Sequence, residues 1–233
     1  ALAALAVCGA QSASAQSAQL IAAAKAEGQL TVIALARSWC GYGPIIDAFK
    51  AKYGIKVNEL NPDAGSGDEI EAIKANKDNK GPQAPDTIDV GLSFGPSAKA
   101  AGLIQPYKVA TWASIPDSAK DPEGYRYGDY YGVMAISYDA SLPKAPTSIK
   151  DLLTDPAFEG AFALSGDPTS SQQALMGLFA IAAASGGSAN NILPGIEALK
   201  AAKANGNFVS VIGNSANFAA GAYKTTITWD FNG

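Results

Sequence analysis

Four residues near the start of the chain combine side chains that could wall a small-molecule site. They follow an apolar run at 30–35, and they are Trp39, Cys40, Gly41 and Tyr42. Glycine lets a backbone approach a ligand closely, and aromatic rings provide an apolar wall. A dinucleotide fingerprint is excluded, because the last glycine of G-x-G-x-x-G would fall at Ile46. The segment therefore predicts one wall of a ligand cleft.

Three later loops also hold side chains suited to a ligand. Their candidates are Ser93 and Phe94, then Asp167, Thr169 and Ser170, and finally Trp229 and Asp230. Hydroxyl groups at a helix start can hold an oxyanion, and an aromatic ring beside a carboxylate can hold an amine. Each group has a structural alternative, since such hydroxyls can simply cap a helix and a Trp-Asp pair can pack against a turn. The sequence leaves both interpretations open.

The composition removes several kinds of chemistry. The 233 residues contain no histidine, which excludes Ser-His-Asp and Cys-His catalytic arrangements and histidine-ligated zinc. The formal net charge of −4 argues against nucleic acid as a partner. We therefore predict no catalytic residue, no metal ligand and no cofactor. In one enzymatic alternative, Arg37 and the helix beginning at Pro44 activate a Cys40 thiolate.

The elements that would position these loops alternate between strand and helix. Apolar runs that predict strands lie at 30–35, 55–60, 87–93, 161–166, 209–213 and 225–229. Segments with helical spacing separate most of them. Such alternation is typical of α/β folds in which helices cover a largely parallel sheet.

A change of composition divides the chain in two. The stretch at 111–131 is rich in Pro, Gly, Asp and Tyr and has no helical or strand periodicity. It leads into an apolar run that could connect two lobes. We therefore predict a first α/β lobe at 16–135 and a second at 136–233, with a crossing strand near 132–140.

The first fifteen residues resemble the end of a secretory signal peptide. An alanine-rich apolar run, too short to span a bilayer, is followed by Ala13-Ser14-Ala15. We predict export with cleavage after Ala15, which would remove Cys8 and leave Cys40 unpaired. No initiating Met is present, so we expect the sequence to begin within the signal peptide.

The order of several segments resembles the bacterial extracellular solute-binding proteins of ABC importers. The resemblance covers nearly the whole chain and includes PIIDAFKAKYGIKV, PDTIDVGLSFGPSAKAAGLIQPY, YYGVMAISYD, PTSIKDLLTDPAFEGAFALSGDP and ITWDFNG. The sequence is similar in particular to the group of these proteins that binds ferric ion, polyamines, 2-aminoethylphosphonate and sugar phosphates. The resemblance implies a two-lobed, type II periplasmic-binding fold that closes on a solute. Because such proteins usually continue beyond the point where this sequence stops, we expect the first lobe to be incomplete.

The same resemblance implies where the solute lies and what receives it. Loops at 38–42, 93–95, 167–171 and 229–230 would face the cleft, and a membrane permease of the ABC type would be the partner of a periplasmic monomer. From the residues, we expect a small phosphonate or phosphate ester, with a polyamine as the alternative. Iron is a minor option, because Tyr130 and Tyr131 precede the expected place of the iron-binding tyrosines and only Tyr223 lies near it.

Overall fold

A computed structural model describes residues 17–232, which form the α/β fold that the sequence predicts. The predicted signal peptide, its cleavage site after Ala15, and Cys8 lie outside the described residues. Within the described part, no helix is both long and apolar enough to cross a membrane. Two separate sheets organise the chain, and we call the parts built on them the N-terminal and C-terminal halves.

The N-terminal half is built on two parallel strands. Its elements are α1 (Ala18–Glu27), β1 (Gln29–Ile33), α2 (Tyr42–Tyr53), β2 (Lys56–Leu60), α3 (Ser66–Ala75) and α4 (Phe94–Ala100). Gln29 lies opposite Lys56, and Ile33 lies opposite Leu60. Gly28 ends α1 with a φ of 76°, a left-handed conformation that glycine adopts without strain. The chain therefore turns at once into β1, and the loops toward α2 and α3 leave the same edge of the sheet.

The strand predicted at 87–93 is wrong, because side chains take the hydrogen bonds that a strand would need. Only Thr87 forms an isolated parallel bridge, to Val32 of β1. Just before it, the carboxylate of Asp86 accepts a hydrogen bond from the amide of Thr31 at 2.7 Å. A side chain thus occupies a donor of β1 that a third strand would have used.

Two side chains of α3 hold the rest of this segment. Glu69 Oε2 accepts from the amide of Asp89 at 2.8 Å, and Ser66 Oγ accepts from the amide of Gly91 at 3.0 Å. Both side chains are almost fully buried. The segment is therefore an irregular connection fixed to α3, and it carries Asp89 and Ser93 along the edge where the loops leave the sheet.

The C-terminal half is built on a mixed sheet of three strands in the order β3-β5-β4. Its elements are β3 (Met134–Tyr138), α5 (Ile149–Thr154), β4 (Phe162–Leu164), α6 (Gln172–Ala184), α7 (Leu193–Ala204), α8 (Ser215–Ala219) and β5 (Thr225–Trp229). β5 is central, antiparallel to β3 and parallel to β4. Because β5 is the last of the strands, the chain crosses this half completely before its sheet closes.

The main hydrophobic cluster lies in the C-terminal half. Its largest fully buried members are Leu152, Phe158, Phe162, Ile181 and Ile227, which come from α5, the turn after it, β4, α6 and β5. Burial of a side chain of this size contributes roughly 1.5 to 3 kcal/mol. The helices α5, α6 and α7 are therefore fixed on the sheet, and so is the start of α6.

The strand predicted at 209–213 is also wrong. Phe208 forms a single parallel bridge to Phe162, and the amide of Val209 donates to Phe162 O at 2.8 Å. The next hydrogen bond to the same strand comes from the amide of Gly213, which donates to Leu164 O at 2.9 Å. Four residues therefore span the distance that two residues of β4 cover, so the segment loops out instead of pairing.

Candidate functional site

A cavity of about 1450 Å³ lies between the two halves. Residues of both halves line it, among them Trp39, Glu69, Asp89, Ser93, Asp129, Gln172 and Trp229. Loops that leave the carboxyl ends of strands are the usual ligand sites of open α/β folds. The cavity is therefore the candidate site of this protein.

Two carboxylates and two phenols meet at its wall. The hydroxyl of Tyr42 lies 3.1 Å from Asp89 Oδ2 and also hydrogen bonds Asp129 Oδ2. The hydroxyl of Tyr130 donates to Asp89 Oδ2 at 3.2 Å. A phenol has one proton to donate, so Tyr42 satisfies only one of the two carboxylates at a time. The arrangement is short of a positive charge or a proton.

The titration of these groups reflects that shortage. Burial and the neighbouring Asp129 raise the pKa of Asp89 to about 6, against hydrogen bonds from Tyr42 and Tyr130 that lower it. Burial and the hydrogen bonds to carboxylates raise the pKa of the Tyr42 phenol far above its ordinary value. At neutral pH Asp89 is therefore mostly ionised, and the phenol of Tyr42 keeps its proton.

A third carboxyl group lies behind this pair. Glu69 on α3 is 1% exposed, and the described residues give it the amide of Asp89 as a hydrogen-bond donor. Burial, opposed by that hydrogen bond, raises the pKa of Glu69 to about 9. Glu69 is therefore a neutral acid at neutral pH, and it positions Asp89 through the backbone.

The loop before α2 positions Tyr42 and Trp39. Cys40 and Gly41 have φ values of 42° and 78°, so the chain turns sharply before the helix begins at Tyr42. Arg37 fixes the start of the loop, because its guanidinium is within 2.6 Å of Asp47 Oδ2 and 2.9 Å of Glu59 Oε1. Of the predicted wall at 38–42, Trp39 lines the cavity, whereas Tyr42 reaches the site through its hydrogen bonds to Asp89 and Asp129, which line it.

An aromatic cluster joins this wall to the end of the described chain. The rings of Trp39 and Tyr130 meet Phe231 edge to face, with centroids 6.1 Å and 5.8 Å apart. Trp229 stacks on Phe231 at 6.4 Å. Trp39 and Phe231 come from opposite halves, so the cluster joins the two halves, and its rings Trp39, Tyr130 and Trp229 line the cavity.

The structure gives Asp230 a backbone partner. Its Oδ1 accepts from the amide of Val133 at 3.1 Å, and its own amide donates to Val133 O at 2.9 Å. These bonds extend the pairing of β3 with β5. The neighbouring Trp229 lines the cavity, so of the predicted Trp-Asp pair the ring is the part that reaches it.

The hydroxyl-rich loop at 167–171 uses much of its polar capacity internally. Thr169 donates from its amide and its hydroxyl to Asp167 Oδ1, at 2.8 Å and 2.7 Å. Ser171 Oγ caps α6 by accepting from the amide of Ala174 at 3.3 Å. The backbone carbonyl of Ser170 faces the N-terminal half. The Ser171 hydroxyl therefore caps a helix, which is the structural alternative to binding an oxyanion.

Of the remaining predicted site residues, Ser93 belongs to the cavity lining, whereas Phe94 and Cys40 do not. Ser93 lines the cavity, and its hydroxyl hydrogen bonds Gln172 Oε1. Phe94 begins α4. Cys40 is exposed, and burial together with the charges of Asp129 and Asp89 raises the pKa of its thiol. The thiol is therefore not activated as the enzymatic alternative requires, because Arg37 pairs with Asp47 and Glu59.

Sequence reasoning did not select Asp89, Asp129 or Gln172 as site residues, and it considered Tyr130 only as an iron ligand. Asp89 lies inside an apolar run that reads as a strand, and Asp129 lies in the stretch that reads as a boundary. One signal was available for Asp89: an ionisable residue between Ile88 and Val90 is unusual for a buried strand. Within the described residues, no three His, Cys, Asp or Glu side chains are grouped to hold a metal ion.

Comparison with known proteins identifies the class of this molecule. Residues 84–232 match the family of bacterial extracellular solute-binding proteins, and the chain belongs to that family. Its fold is the two-lobed, type II fold of periplasmic binding proteins, as the sequence predicts. The search of curated proteins gave no match.

Solved structures agree on the fold. The chain is similar to a periplasmic thiamin binding protein (17% identity, TM-score 0.58), iron-bound HitA from Pseudomonas aeruginosa (21%, 0.54), and the spermidine/putrescine transporter protein PotD from Streptococcus pneumoniae (14%, 0.52). These matches cover 86%, 87% and 87% of the chain. They span 61%, 63% and 62% of the respective structures, less than two thirds of each.

Proposed function

We propose that this protein captures a small solute carrying a protonated amine, such as a polyamine, and delivers it to an ABC-type permease from the periplasm. The family supports solute binding, and the cavity between the halves supplies the place. The solute and the permease are the parts of this proposal that go beyond the family. The protein would act as a monomer and without catalysis or a cofactor.

The observation that carries the choice of solute is the shared phenol. Asp89 and Asp129 both approach the hydroxyl of Tyr42, which has one proton to donate, and Tyr130 donates to Asp89, so these phenols supply two protons and no positive charge to two carboxylates. A protonated amine has two or three N–H donors and a positive charge, so it would satisfy the remaining carboxylate oxygens. The rings of Trp39 and Tyr130, which line the cavity, would add cation–π attraction, worth about 0.5 to 2 kcal/mol.

The charge of the cavity also favours a cation over the phosphonate or phosphate ester that the sequence favours. Besides Glu69, which is a neutral acid at neutral pH, its described lining includes the carboxyl groups of Asp86, Asp89 and Asp129, and Arg126 is the one guanidinium among these lining residues. The hydroxyl of Thr169 already donates to Asp167, and that of Ser171 caps α6. The oxyanion interpretation therefore has less support than the polyamine alternative.

Ferric ion is the competing cationic occupant. Two phenols and two carboxylates are oxygen ligands of the kind a hard metal ion prefers. Against it, the described residues offer no group of three His, Cys, Asp or Glu placed around a metal, and both phenols have pKa values raised further above their ordinary value. Ferric ion is therefore tested as an alternative occupant and is not the solute that we propose.

The test is isothermal titration calorimetry of the purified protein with spermidine, putrescine, glycerol 3-phosphate and ferric citrate. We expect binding of spermidine or putrescine and none of the ester. Asp129→Asn should weaken amine binding at least tenfold, since a charge-assisted hydrogen bond contributes about 1.5 to 3 kcal/mol. Glu71→Gln, on the exposed face of α3 two residues from Glu69, is the matched control and should bind like the wild type.

The pH dependence gives a second readout of the same site. Because the pKa of Asp89 is about 6, Asp89 loses its charge as the pH falls from 7.5 to 5. Amine affinity should fall over that range, whereas Asp89→Asn should flatten the profile. Binding of the ester alone, or a visible iron–phenolate absorption band with ferric citrate, would contradict the amine.

A further inference from the structure

Three contacts between the halves converge on the start of α6. The amide of Gly67 donates to Ser170 O at 2.9 Å. Ser93 Oγ hydrogen bonds Gln172 Oε1, and the side chain of Gln172 packs against the backbone of Gly91. Gly67, Gly91 and Ser93 belong to the N-terminal half, and their partners belong to the C-terminal half. At the rim of the cavity the two halves of the chain are therefore in direct contact with each other.

The contact at Gly91 leaves no room for a side chain. A Cβ at this position would lie 2.2 Å from both Cβ and Cγ of Gln172, far inside van der Waals contact. The Cβ of Gln172 is fixed by α6, whose buried residues pack on the C-terminal sheet. A larger residue at position 91 is therefore accommodated only if the two halves separate at this point.

We infer that the Gly91–Gln172 contact sets the population of the closed form of this protein, and through it the affinity for the solute. A solute that needs the closed form binds with an apparent dissociation constant equal to the intrinsic one divided by the closed fraction. Contacts made by the halves themselves raise that fraction before any solute arrives. Gly91 thus determines the affinity through the contact between the two halves. It has no side chain with which to contact the acidic pair.

The inference rests on the proposed function only for the identity of the solute. Closure is measurable without any ligand, by the radius of gyration from small-angle X-ray scattering. If the wild type fails to bind spermidine, the proposed solute is wrong, while the scattering still tests the contact.

The experiment compares Gly91→Ala, Gln172→Gly and the double variant with the wild type. Gly91→Ala should increase the radius of gyration of the ligand-free protein and weaken spermidine binding about tenfold or more, since overpacking commonly costs 1 to 3 kcal/mol and tenfold corresponds to about 1.4. Removing the opposing side chain relieves the clash, so the double variant should recover most of both changes. Gln172→Gly alone removes the packing on Gly91 and the hydrogen bond with Ser93 without introducing a clash, so it should weaken binding by a few-fold, less than Gly91→Ala does.

Gly177→Ala is the matched control. Gly177 lies on α6 and does not belong to the cavity lining, and a Cβ there would meet Ile227 O at 3.5 Å, an ordinary contact. We expect wild-type scattering and binding from it. If Gly91→Ala does not fold by circular dichroism, Gln172→Trp enlarges the contact from the helix side, and the same two changes are expected. An unchanged radius of gyration in Gly91→Ala, or a double variant that does not recover, would overturn the inference.

Discussion

The two halves of this protein use their buried space differently. The C-terminal half fills it with Leu152, Phe158, Phe162 and Ile181, all fully buried and in one cluster. The N-terminal half has smaller buried apolar side chains, and it also buries the carboxyl group of Glu69. Apolar burial stabilises, whereas burial of an ionisable group opposes folding unless the group is neutral or paired. The comparison indicates that the C-terminal half contributes more to stability, whereas the N-terminal half holds the acidic residues of the candidate site.

The largest expected effect breaks the stable half. Phe162→Ala should lower the free energy of unfolding by about 4 kcal/mol, because it removes a fully buried ring of the hydrophobic cluster and leaves a cavity against Phe208. Phe49→Ala, on a half-buried position of α2, is the matched control in the other half and should cost roughly 1 kcal/mol. Urea unfolding measures both. Equal losses would contradict the difference between the halves.

A second prediction relieves the N-terminal half of its buried acid. The pKa of Glu69 is about 9 against an ordinary 4.5, so the folded protein binds a proton that the unfolded chain releases. Stability from this group is present below pH 4.5 and is lost progressively as the pH rises through 9. Glu69→Gln keeps an acceptor for the amide of Asp89 without that loss. We expect it to stabilise on the order of 2 kcal/mol at pH 8 and little at pH 5.

Thermal unfolding at the two pH values measures this difference. Glu71→Gln, exposed on the same helix, should show no pH-dependent gain. A Glu69→Gln variant that is equally destabilised at both pH values would indicate that the carboxylate is ionised and paired, contrary to the structure.

The smallest expected effect concerns helix caps. Ser148 Oγ accepts from the amide of Asp151, and the Asp151 carboxylate accepts from the amides of Ser148 and Thr147. Ser148→Ala should cost about 1 kcal/mol, a typical cap contribution. In the N-terminal half, Asp68→Ala removes one hydrogen bond to the amide of Gly65 and should cost about 0.5 kcal/mol. Melting temperatures rank the two, and the reverse order would weaken the comparison of the halves.

Much of the fold was predictable because its signals are local. Gly28 follows a helical run and precedes an apolar one, and this is enough to end α1 and begin β1. The runs that became β1, β2, β4 and β5 pair as strands, as predicted. The runs at 87–93 and 209–213 look the same in sequence. They failed because distant groups, the side chains of α3 and the edge of β4, decide where their hydrogen bonds go.

The candidate site, like the fold, was predictable from the sequence only in part. The sequence by itself determined the α/β class and the absence of histidine chemistry, and it selected Trp39 and Tyr42 as candidate site residues, of which Trp39 lines the cavity. Only the tertiary structure brought Asp89 and Asp129 to one phenol and set Gly91 against Gln172, which is 81 positions further along the chain. Composition and periodicity report what each segment buries, whereas charge pairing and close approach depend on which segments meet. That meeting is decided by the packing of the whole chain.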